Sequence, residues 1–316
     1  MKGIVLLNMG GPDSLDAVEP FLKNLFSDRD IIRLGPSFLQ KPIASLIIKR
    51  RLKDTLHAYS LIGGKSPLIE ITSKQAQSLE KELSLKGYDY IVRTGMRYWH
   101  PFIEDTLRQM HKDGVRDVLG LSLYPQYSKA TSGSTLRVFK ESTKKLALTS
   151  KTIESWCDFP AYINTLSDFI REELKTFAQM PFVLFSAHSL PQRFVDEGDP
   201  YIKETELTVK LVVKNLGLSK EQYCLAYQSK TGPVKWVGPT TEDTILKLSG
   251  MGIRDVLIVP VSFVSDHIET LYEIDMIYKR LAETNGINLK RLKAFNTDKR
   301  FIDVLMQLVL NSGKDT

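Results

Sequence analysis

Two short blocks of sequence recur at one fixed offset, and this repeat restricts the possible folds more than any other feature of the chain. Glu104-Asp-Thr106 returns as Glu242-Asp-Thr244, and Gly114-Val-Arg-Asp-Val-Leu119 returns as Gly252-Ile-Arg-Asp-Val-Leu257. Each pair is separated by 138 residues, from 104 to 242 and from 114 to 252. Both blocks run from a predicted helix into a predicted strand. The repeat therefore predicts two related α/β halves.

The rest of the pattern agrees with this prediction, because strands and helices alternate along the chain. Alternation of this kind is typical of parallel, doubly wound sheets flanked by helices. With 316 residues, the chain is long enough for two domains of ordinary size. We predict a boundary near Ser150, which gives domains 1–150 and 151–316. In the first half the predicted elements are strands Gly3–Asn8, Tyr90–Thr94 and Asp117–Leu123, and helices Leu15–Phe26, Leu68–Leu85 and Phe102–Lys112.

Ionisable side chains cluster where one predicted strand passes into a helix. Residues Val256–Val264 are apolar and β-branched, as in a buried strand, and Asp266, His267 and Glu269 follow directly. Ligands of open α/β sheets bind at the carboxyl ends of strands. Alternatively, Asp266 and Glu269 form a capping box at the start of the helix. Against that alternative, Glu269 and Glu273 are four residues apart, where like charges repel. Both interpretations stay open at this point.

A second histidine, His188, also follows a predicted strand. Phe182–Phe185 reads as a strand that ends at Ser186-Ala-His-Ser-Leu-Pro191. A single histidine in such a place is more often structural than functional. Two strand ends that each carry a histidine, one of them beside carboxylates, favour a site. Such groups can accept protons or hold a divalent metal ion.

Composition and charge exclude several classes of protein. The net charge of +6 fits an acidic ligand or an anionic membrane surface, but no long basic run with interleaved aromatic residues predicts nucleic-acid binding. No stretch approaches the ~20 apolar residues of a membrane span. The apolar run at the amino terminus is too short for a signal peptide. The two cysteines, Cys157 and Cys224, are far apart and fit a reducing cytoplasm without a disulfide framework, a zinc site or an iron–sulfur cluster.

Motifs of several familiar enzyme classes are missing from the sequence. There is no glycine-rich dinucleotide fingerprint and no P-loop. The nucleophile motif of α/β-hydrolases and the His-Glu-x-x-His motif of zinc proteases are also missing.

The segment Leu34–Leu56 combines apolar residues at helical spacing with a basic cluster. Such a segment is either an ordinary helix with a solvated end or a surface that lies on an anionic membrane. The apolar residues are Phe38, Leu39, Ile43, Leu46 and Ile47, and the basic ones are Lys49, Arg50, Arg51 and Lys53.

Taken together, motifs along nearly the whole chain resemble the ferrochelatase family in the family's order. In the first half they are Leu7-Asn-Met-Gly-Gly-Pro12, Ile62-Gly-Gly-Lys-Ser-Pro67, Met96-Arg-Tyr-Trp-His-Pro101 and Tyr124-Pro-Gln-Tyr-Ser128. In the second half they are Ser186-Ala-His-Ser-Leu-Pro191, Gly198-Asp-Pro-Tyr201, Tyr227-Gln-Ser-Lys230, Trp236-Val-Gly-Pro239 and Ser265-Asp-His-Ile-Glu-Thr-Leu-Tyr-Glu273. The resemblance implies two Rossmann-like, chelatase-like domains and insertion of Fe²⁺ into a porphyrin.

The resemblance also assigns roles to single residues. His188 corresponds to the family's active-site histidine, a metal ligand or proton acceptor, and Glu269 to a carboxylate on the opposite side of the macrocycle. His267 and Glu273 lie behind Glu269. In the family a row of acidic residues continues along this helix and serves as a path for metal ions or protons. Many relatives have an acid at the position of Ile277, so the row is shorter here, or Asp275 takes the place of that acid. Residues that correspond to the porphyrin pocket are Met9, Arg51, Tyr59, Ser66, Arg97, Tyr127 and Trp236.

The choice of substrate follows from Met9 and Arg97, which resemble the branch of the family that uses protoporphyrin. Alternatives are a chelatase for coproporphyrin or another tetrapyrrole, and a tetrapyrrole carrier without catalysis. Fe²⁺ is expected as a substrate, with no cofactor. The Leu34–Arg51 segment becomes a membrane-facing lip, which implies peripheral association with the inner face of the cell membrane. We expect a cytoplasmic protein that is a monomer or a weak dimer.

Overall fold

The computed structural model describes residues 2–33, 35–230, 232 and 234–312. Met1, Leu34, Pro233 and Thr316 belong to stretches discussed above and lie outside the described residues. The chain forms two compact units. Unit 1 comprises the described residues up to Ser155 and those from Asn296 onward, and unit 2 comprises Trp156–Phe295.

Unit 1 is built around a parallel sheet. Its strands are β1 (Lys2–Asn8), β2 (Tyr90–Met96), β3 (Asp117–Ser122) and β4 (Thr149–Ile153), in the order β2-β1-β3-β4. Its helices are α1 (Val18–Ser27), α2 (Gln40–Leu61), α3 (Leu68–Leu85), α4 (Ile103–Lys112), α5 (Ser134–Lys145) and, near the carboxyl end, α11 (Lys299–Ser312). A 3₁₀ turn, Ser37–Leu39, precedes α2, and a π-helical turn, Lys129–Gly133, precedes α5. The central strand β1 is apolar from Ile4 to Leu7 and fully buried there, as expected for a strand covered on both faces.

Unit 2 repeats this sheet. Its strands are β5 (Phe182–His188), β6 (Tyr223–Gln228), β7 (Asp255–Pro260) and β8 (Asn288–Arg291), in the order β6-β5-β7-β8. Its helices are α6 (Pro160–Leu174), α7 (Gln192–Asp196), α8 (Tyr201–Leu216), α9 (Thr241–Gly250) and α10 (Lys279–Thr284). A π-helical segment, Glu269–Tyr278, runs directly into α10.

The structure confirms the predicted fold class of two parallel sheets flanked by helices. In both units the first strand in the chain pairs with the second on one side and the third on the other. The repeated blocks occupy equivalent elements, since α4 and β3 begin at residues 103 and 117 while α9 and β7 begin at 241 and 255. Both pairs of starting points keep the offset of the sequence repeat.

The division of the chain differs from the predicted boundary at Ser150. That residue lies inside β4, which pairs with β3 and so belongs to the first sheet. At the other end, α11 packs against α3 in unit 1, and Gln75 Nε2 donates a hydrogen bond to the carbonyl of Asn296 at 2.6 Å. The carboxyl-terminal helix therefore completes unit 1 rather than unit 2.

The predicted strand Val256–Val264 is shorter in the structure and ends at Pro260. Proline has no N–H to donate to the sheet, and the next residue, Val261, makes its hydrogen bond to the carbonyl of Ser186 at 2.9 Å. The chain then turns through residues 261–268 before the π-helical segment begins. Among the described residues, no helix combines the length and apolarity needed to cross a bilayer.

Candidate active site

His188 is the last residue of β5, and its ring is held by the backbone that follows. Its Nδ1 lies 2.6 Å from the carbonyl oxygen of Ser189. A carbonyl can only accept, so Nδ1 carries the proton and Nε2 points outward. Nε2 lies 3.2 Å from Glu269 Oε1. The Tyr201 hydroxyl donates to the His188 carbonyl at 3.0 Å, which fixes the end of the strand. Histidines that ligate metals commonly have this arrangement, with one ring N–H on a carbonyl.

Glu269, the first residue of the π-helical segment, joins the two histidines. Its second carboxylate oxygen lies 2.5 Å from His267 Nε2. The His267 ring is buried, and its Nδ1 lies 3.0 Å from the carbonyl of Ser265. Phe263 presents ring edges to both imidazoles, with centroid distances of 4.3 Å to His267 and 6.4 Å to His188. The capping-box interpretation is wrong, because both oxygens of Glu269 are directed at histidines rather than back at Asp266.

The electrostatics of the pair follow from this geometry. Burial by itself lowers the pKa of His188, but attraction by the Glu269 carboxylate outweighs burial and raises the pKa to about 9. Burial by itself raises the pKa of Glu269, but the two imidazoles hold that pKa far below its usual range. At neutral pH the pair is therefore an imidazolium beside a carboxylate.

Glu273 lies one turn further along the π-helical segment and accepts hydrogen bonds from three side chains. These are Gln228 Nε2 at 3.0 Å, the Ser229 hydroxyl at 2.5 Å and the Tyr278 hydroxyl at 3.1 Å. Burial raises the pKa of Glu273 above its usual value, and repulsion by Glu269 adds to this. Of the two carboxylates, Glu273 is thus the one that takes up a proton more readily.

The predicted arrangement of His188 and Glu269 on opposite sides of a planar ring is wrong for this structure. A ring between the two groups needs about 7 Å, twice a carbon contact distance of about 3.5 Å. The observed 3.2 Å leaves no such space. The His188 imidazole and the Glu269 carboxylate therefore lie side by side, and Nε2 and Oε1 are close enough to bind one metal ion. Among the described residues, no group of three or more His, Cys, Asp or Glu side chains has the arrangement of a metal site.

The predicted pocket residues of unit 1 lie in loops that follow its strands, on α2 and in the turn between α2 and α3. Met9 directly follows β1, and its carbonyl accepts from the backbone N–H of Tyr98 at 2.9 Å. Ser66 is buried against Gly11, where an added Cβ would lie 2.5 Å from the Ser66 hydroxyl. Tyr59 is buried, Tyr127 is half-buried and Arg51 is exposed on α2. Another predicted pocket residue, Trp236, belongs to unit 2, where its backbone forms an isolated β-bridge with Pro191, three residues after His188.

Arg97 is engaged in a polar cluster of unit 1. It pairs with the buried Asp28 at 2.7 Å and donates to the Ser134 hydroxyl at 2.9 Å. The Tyr98 hydroxyl also donates to Asp28, at 2.8 Å. The Arg97 side chain is 19% exposed and lines an open cavity of about 450 Å³. Arg97 therefore keeps a partly open face while Asp28 balances its charge.

Sequence reasoning missed several residues of the site. Gly198-Asp-Pro-Tyr201 is a motif to which the sequence assigns no role, yet the Tyr201 hydroxyl donates to the His188 carbonyl and contacts the Ser262 hydroxyl at 2.7 Å. Phe263 carries no chemical signal of its own. Tyr278 lies five residues after Glu273, a spacing that does not place two residues on one face of an α-helix.

Asp275 does not take the place of an acid at position 277. Both of its oxygens accept from Arg291, at 2.7 and 2.8 Å. Ile277 itself is 41% exposed. The row of acids is therefore the shorter one, with Glu269 and Glu273.

Comparison with known proteins assigns the chain to a family. The ferrochelatase family model matches residues 1–312. A ferrochelatase from Geobacter metallireducens is 48% identical over 316 residues, with 98% of each chain covered. One from Gloeothece citriformis is 47% identical over 318 residues, covering 98% of this chain and 82% of its own. The solved structure of SirB from Bacillus subtilis with Fe³⁺ has a TM-score of 0.55 at 12% identity, covering 77% of this chain and 92% of its own, which supports the fold alone.

Proposed function

This chain belongs to the ferrochelatase family, and from that premise we propose that it inserts Fe²⁺ into protoporphyrin IX to form protohaem. The observation that carries the proposal is the contact of His188 Nε2 with Glu269 Oε1 at the carboxyl end of a sheet. Imidazole nitrogen with carboxylate oxygen is a donor set that suits Fe²⁺. A porphyrin carrier would not need that pair.

The reaction exchanges one metal ion for two protons, and the proposed roles follow from the protonation of the site. Fe²⁺ and the two N–H protons of the porphyrin change places, so charge balances and iron keeps its oxidation state. No electron carrier or other bound cofactor is needed. Before His188 can bind Fe²⁺ through Nε2, its imidazolium must lose a proton, and the arriving ion drives that loss.

Glu273 is the proposed acceptor for the two protons that leave the porphyrin, which it takes up one at a time and passes to solvent in turn. Its raised pKa makes it a better base at neutral pH than Glu269, whose pKa is held low. Tyr278, Ser229 and Gln228 hold its carboxylate in place through their hydrogen bonds. Glu269 then stays ionised and serves as the carboxylate ligand of Fe²⁺.

The proposed substrate is protoporphyrin rather than coproporphyrin. Met9 stands where coproporphyrin-using members of the family typically have tyrosine, and Arg97 resembles the protoporphyrin branch. A methionine side chain is apolar and adaptable, which suits a largely apolar macrocycle.

We also propose that α2 and the turn before it rest on an anionic membrane surface. Phe38 is 76% exposed, Leu39 38% and Leu46 52%, although all three are large and apolar. Leu39, Leu46, Arg50 and Lys53 recur at helical spacing, so apolar and basic side chains share one face. The binding of such a helix to a membrane is stabilised both by burial of its apolar side chains in the interface and by attraction of its basic side chains to anionic lipids.

Anaerobic incubation of the purified protein with Fe²⁺ and protoporphyrin, followed by absorbance, tests the proposed reaction. We expect haem to form far faster than without protein. A carrier would shift the porphyrin spectrum and yield no haem above the uncatalysed rate. Coproporphyrin in a parallel reaction is expected to be the poorer substrate, and a preference for it would overturn the assignment to the protoporphyrin branch.

A further inference from the structure

A single arginine, Arg291 of β8, is bonded to carboxylates at both ends of the region that carries the site acids. Its Nε and one Nη donate to the two oxygens of Asp275 at 2.7 and 2.8 Å. Its other Nη donates to Asp266 Oδ1 at 2.9 Å. Asp275 lies within the π-helical segment Glu269–Tyr278, and Asp266 precedes it by three residues. One guanidinium therefore ties this whole region to the sheet.

The contact is well built and only slightly exposed. The Arg291 side chain is 10% exposed, and its partners Asp266 and Asp275 are 18% and 35% exposed. A planar guanidinium that binds one carboxylate through two parallel hydrogen bonds gives both strength and direction. Lysine offers charge but not this geometry.

The contact at Asp266 continues to the backbone of a site histidine. The Thr270 hydroxyl lies 3.1 Å from Asp266 Oδ1 and accepts from the backbone N–H of His267 at 3.0 Å. Thr270 is fully buried. Arg291 is thus linked through Asp266 and Thr270 to the residue whose ring binds Glu269.

The π-helical segment needs such support to keep its register. Helices of this type are rare and usually limited to a single turn, whereas this one has ten residues. Its wide turn lets the Tyr278 hydroxyl reach Glu273, five residues earlier, at 3.1 Å. In an α-helix, residues three or four apart share a face, so a return to that geometry would separate this pair.

We propose that Arg291 is a positioning residue for metal insertion, which holds the π-helical segment in register so that Glu269 meets both histidines and Glu273 meets Tyr278. This role rests on the proposed ferrochelatase reaction. Among the described residues, Arg291 makes no hydrogen bond or ion pair with His188 or Glu269. It acts through the π-helical segment that it holds.

The test compares Arg291→Lys with the wild type in steady-state kinetics and in amide hydrogen exchange. Lysine keeps the charge and loses the two-point contact, so we expect kcat to fall about 10- to 100-fold, as for other residues that orient metal ligands. The KM for porphyrin should stay within about twofold, since the change acts on the reacting groups rather than on binding. Amides of 269–278 should exchange faster, while those of β5 and β7 stay protected.

Two further variants complete the test. Asp275→Asn removes the charge of one partner while keeping its shape. We expect this variant to fold and to show the same fall in kcat and the same faster exchange of amides 269–278 as Arg291→Lys. Arg137→Lys is the matched control, because Arg137 also pairs with two carboxylates, Asp30 at 2.6 Å and Glu141 at 3.3 Å, but lies in unit 1. It should behave as wild type.

Unchanged kcat in Arg291→Lys, or faster exchange throughout unit 2, would overturn the positioning role. A wild-type protein that makes no haem would instead reject the proposed reaction. In that case amide hydrogen exchange still tests whether Arg291 holds the π-helical segment. Amides of 269–278 that stay protected in Arg291→Lys would show that it does not.

Discussion

At the scale of single residues, the charge of the site depends on Glu269. Its carboxylate lies 3.2 Å from one imidazole and 2.5 Å from the other. The sequence predicts the residues involved, because His188, His267 and Glu269 all lie at or shortly after the carboxyl end of a strand. It does not predict that one carboxylate joins both rings, since that depends on a helix pitch that no local pattern specifies.

Replacing this carboxylate should impair chemistry more than folding. We expect Glu269→Gln to lower kcat about 100-fold or more, within the range for loss of an acid–base or metal-binding group. A purely structural role of the two histidine contacts would instead predict a lower melting temperature with nearly normal turnover per folded molecule. Parallel measurements of kcat and of thermal unfolding distinguish these results. Glu70→Gln, which changes an exposed ion pair, serves as control.

The titration of His188 should report the same contact. With Glu269 present the imidazole should titrate near pH 9, above the ordinary value of 6.5. Glu269→Gln removes the carboxylate that outweighs burial, so the pKa of His188 should fall from about 9, although the Ser189 carbonyl and Glu273 still raise it. NMR of the labelled imidazole measures both values, and equal values in the two proteins would contradict the ion pair.

The same shifts set the pH range in which the pair stabilises the fold. Because the pKa of His188 is raised in the folded protein, its contribution is fully present below pH 6.5 and lost as pH rises through about 9. Because the pKa of Glu269 is lowered, its contribution is present above pH 4.5 and lost on further acidification. The pair therefore stabilises the protein most between these two ordinary values.

At the scale of elements, the sequence predicts where helices lie better than how they are wound. Helix α3 has its predicted bounds, Leu68–Leu85, because the buried positions Leu68, Thr72, Ala76, Leu79 and Leu83 recur every three or four residues. The segment Glu269–Tyr278 has the composition of an α-helix, yet it is π-helical. We propose above that its pitch depends on Arg291, which lies in strand β8 and so outside any local window of sequence.

Membrane association is a property of α2 as a whole. We expect the protein to co-sediment with anionic liposomes at low salt, and Arg50→Ser to weaken this about fivefold, since one basic residue near such a surface contributes about 1 kcal/mol. Leu46→Ser should weaken it as well, by removing exposed apolar surface. Leu85→Ser, at the end of α3 and 71% exposed, is the matched control. Failure of the wild type to co-sediment at low salt would contradict the proposal.

At the scale of the whole molecule, the repeat predicts the architecture but not every boundary. Two blocks at a 138-residue offset predict two related α/β halves, and the two observed sheets share one strand order. The return of α11 to unit 1 is not predictable in this way. An amphipathic helix specifies that one face is buried, but not which sheet it covers. Only contacts such as Gln75 with Asn296, 221 positions apart, decide this.

The most direct test of the account is single-turnover haem formation by the wild type and His188→Ala, each loaded with protoporphyrin and mixed anaerobically with Fe²⁺. We predict that both proteins bind the porphyrin, as its fluorescence will show, and that only the wild type converts it to haem within the first turnover. Haem formation by His188→Ala at the wild-type rate would contradict the proposal that His188 and Glu269 form the insertion site.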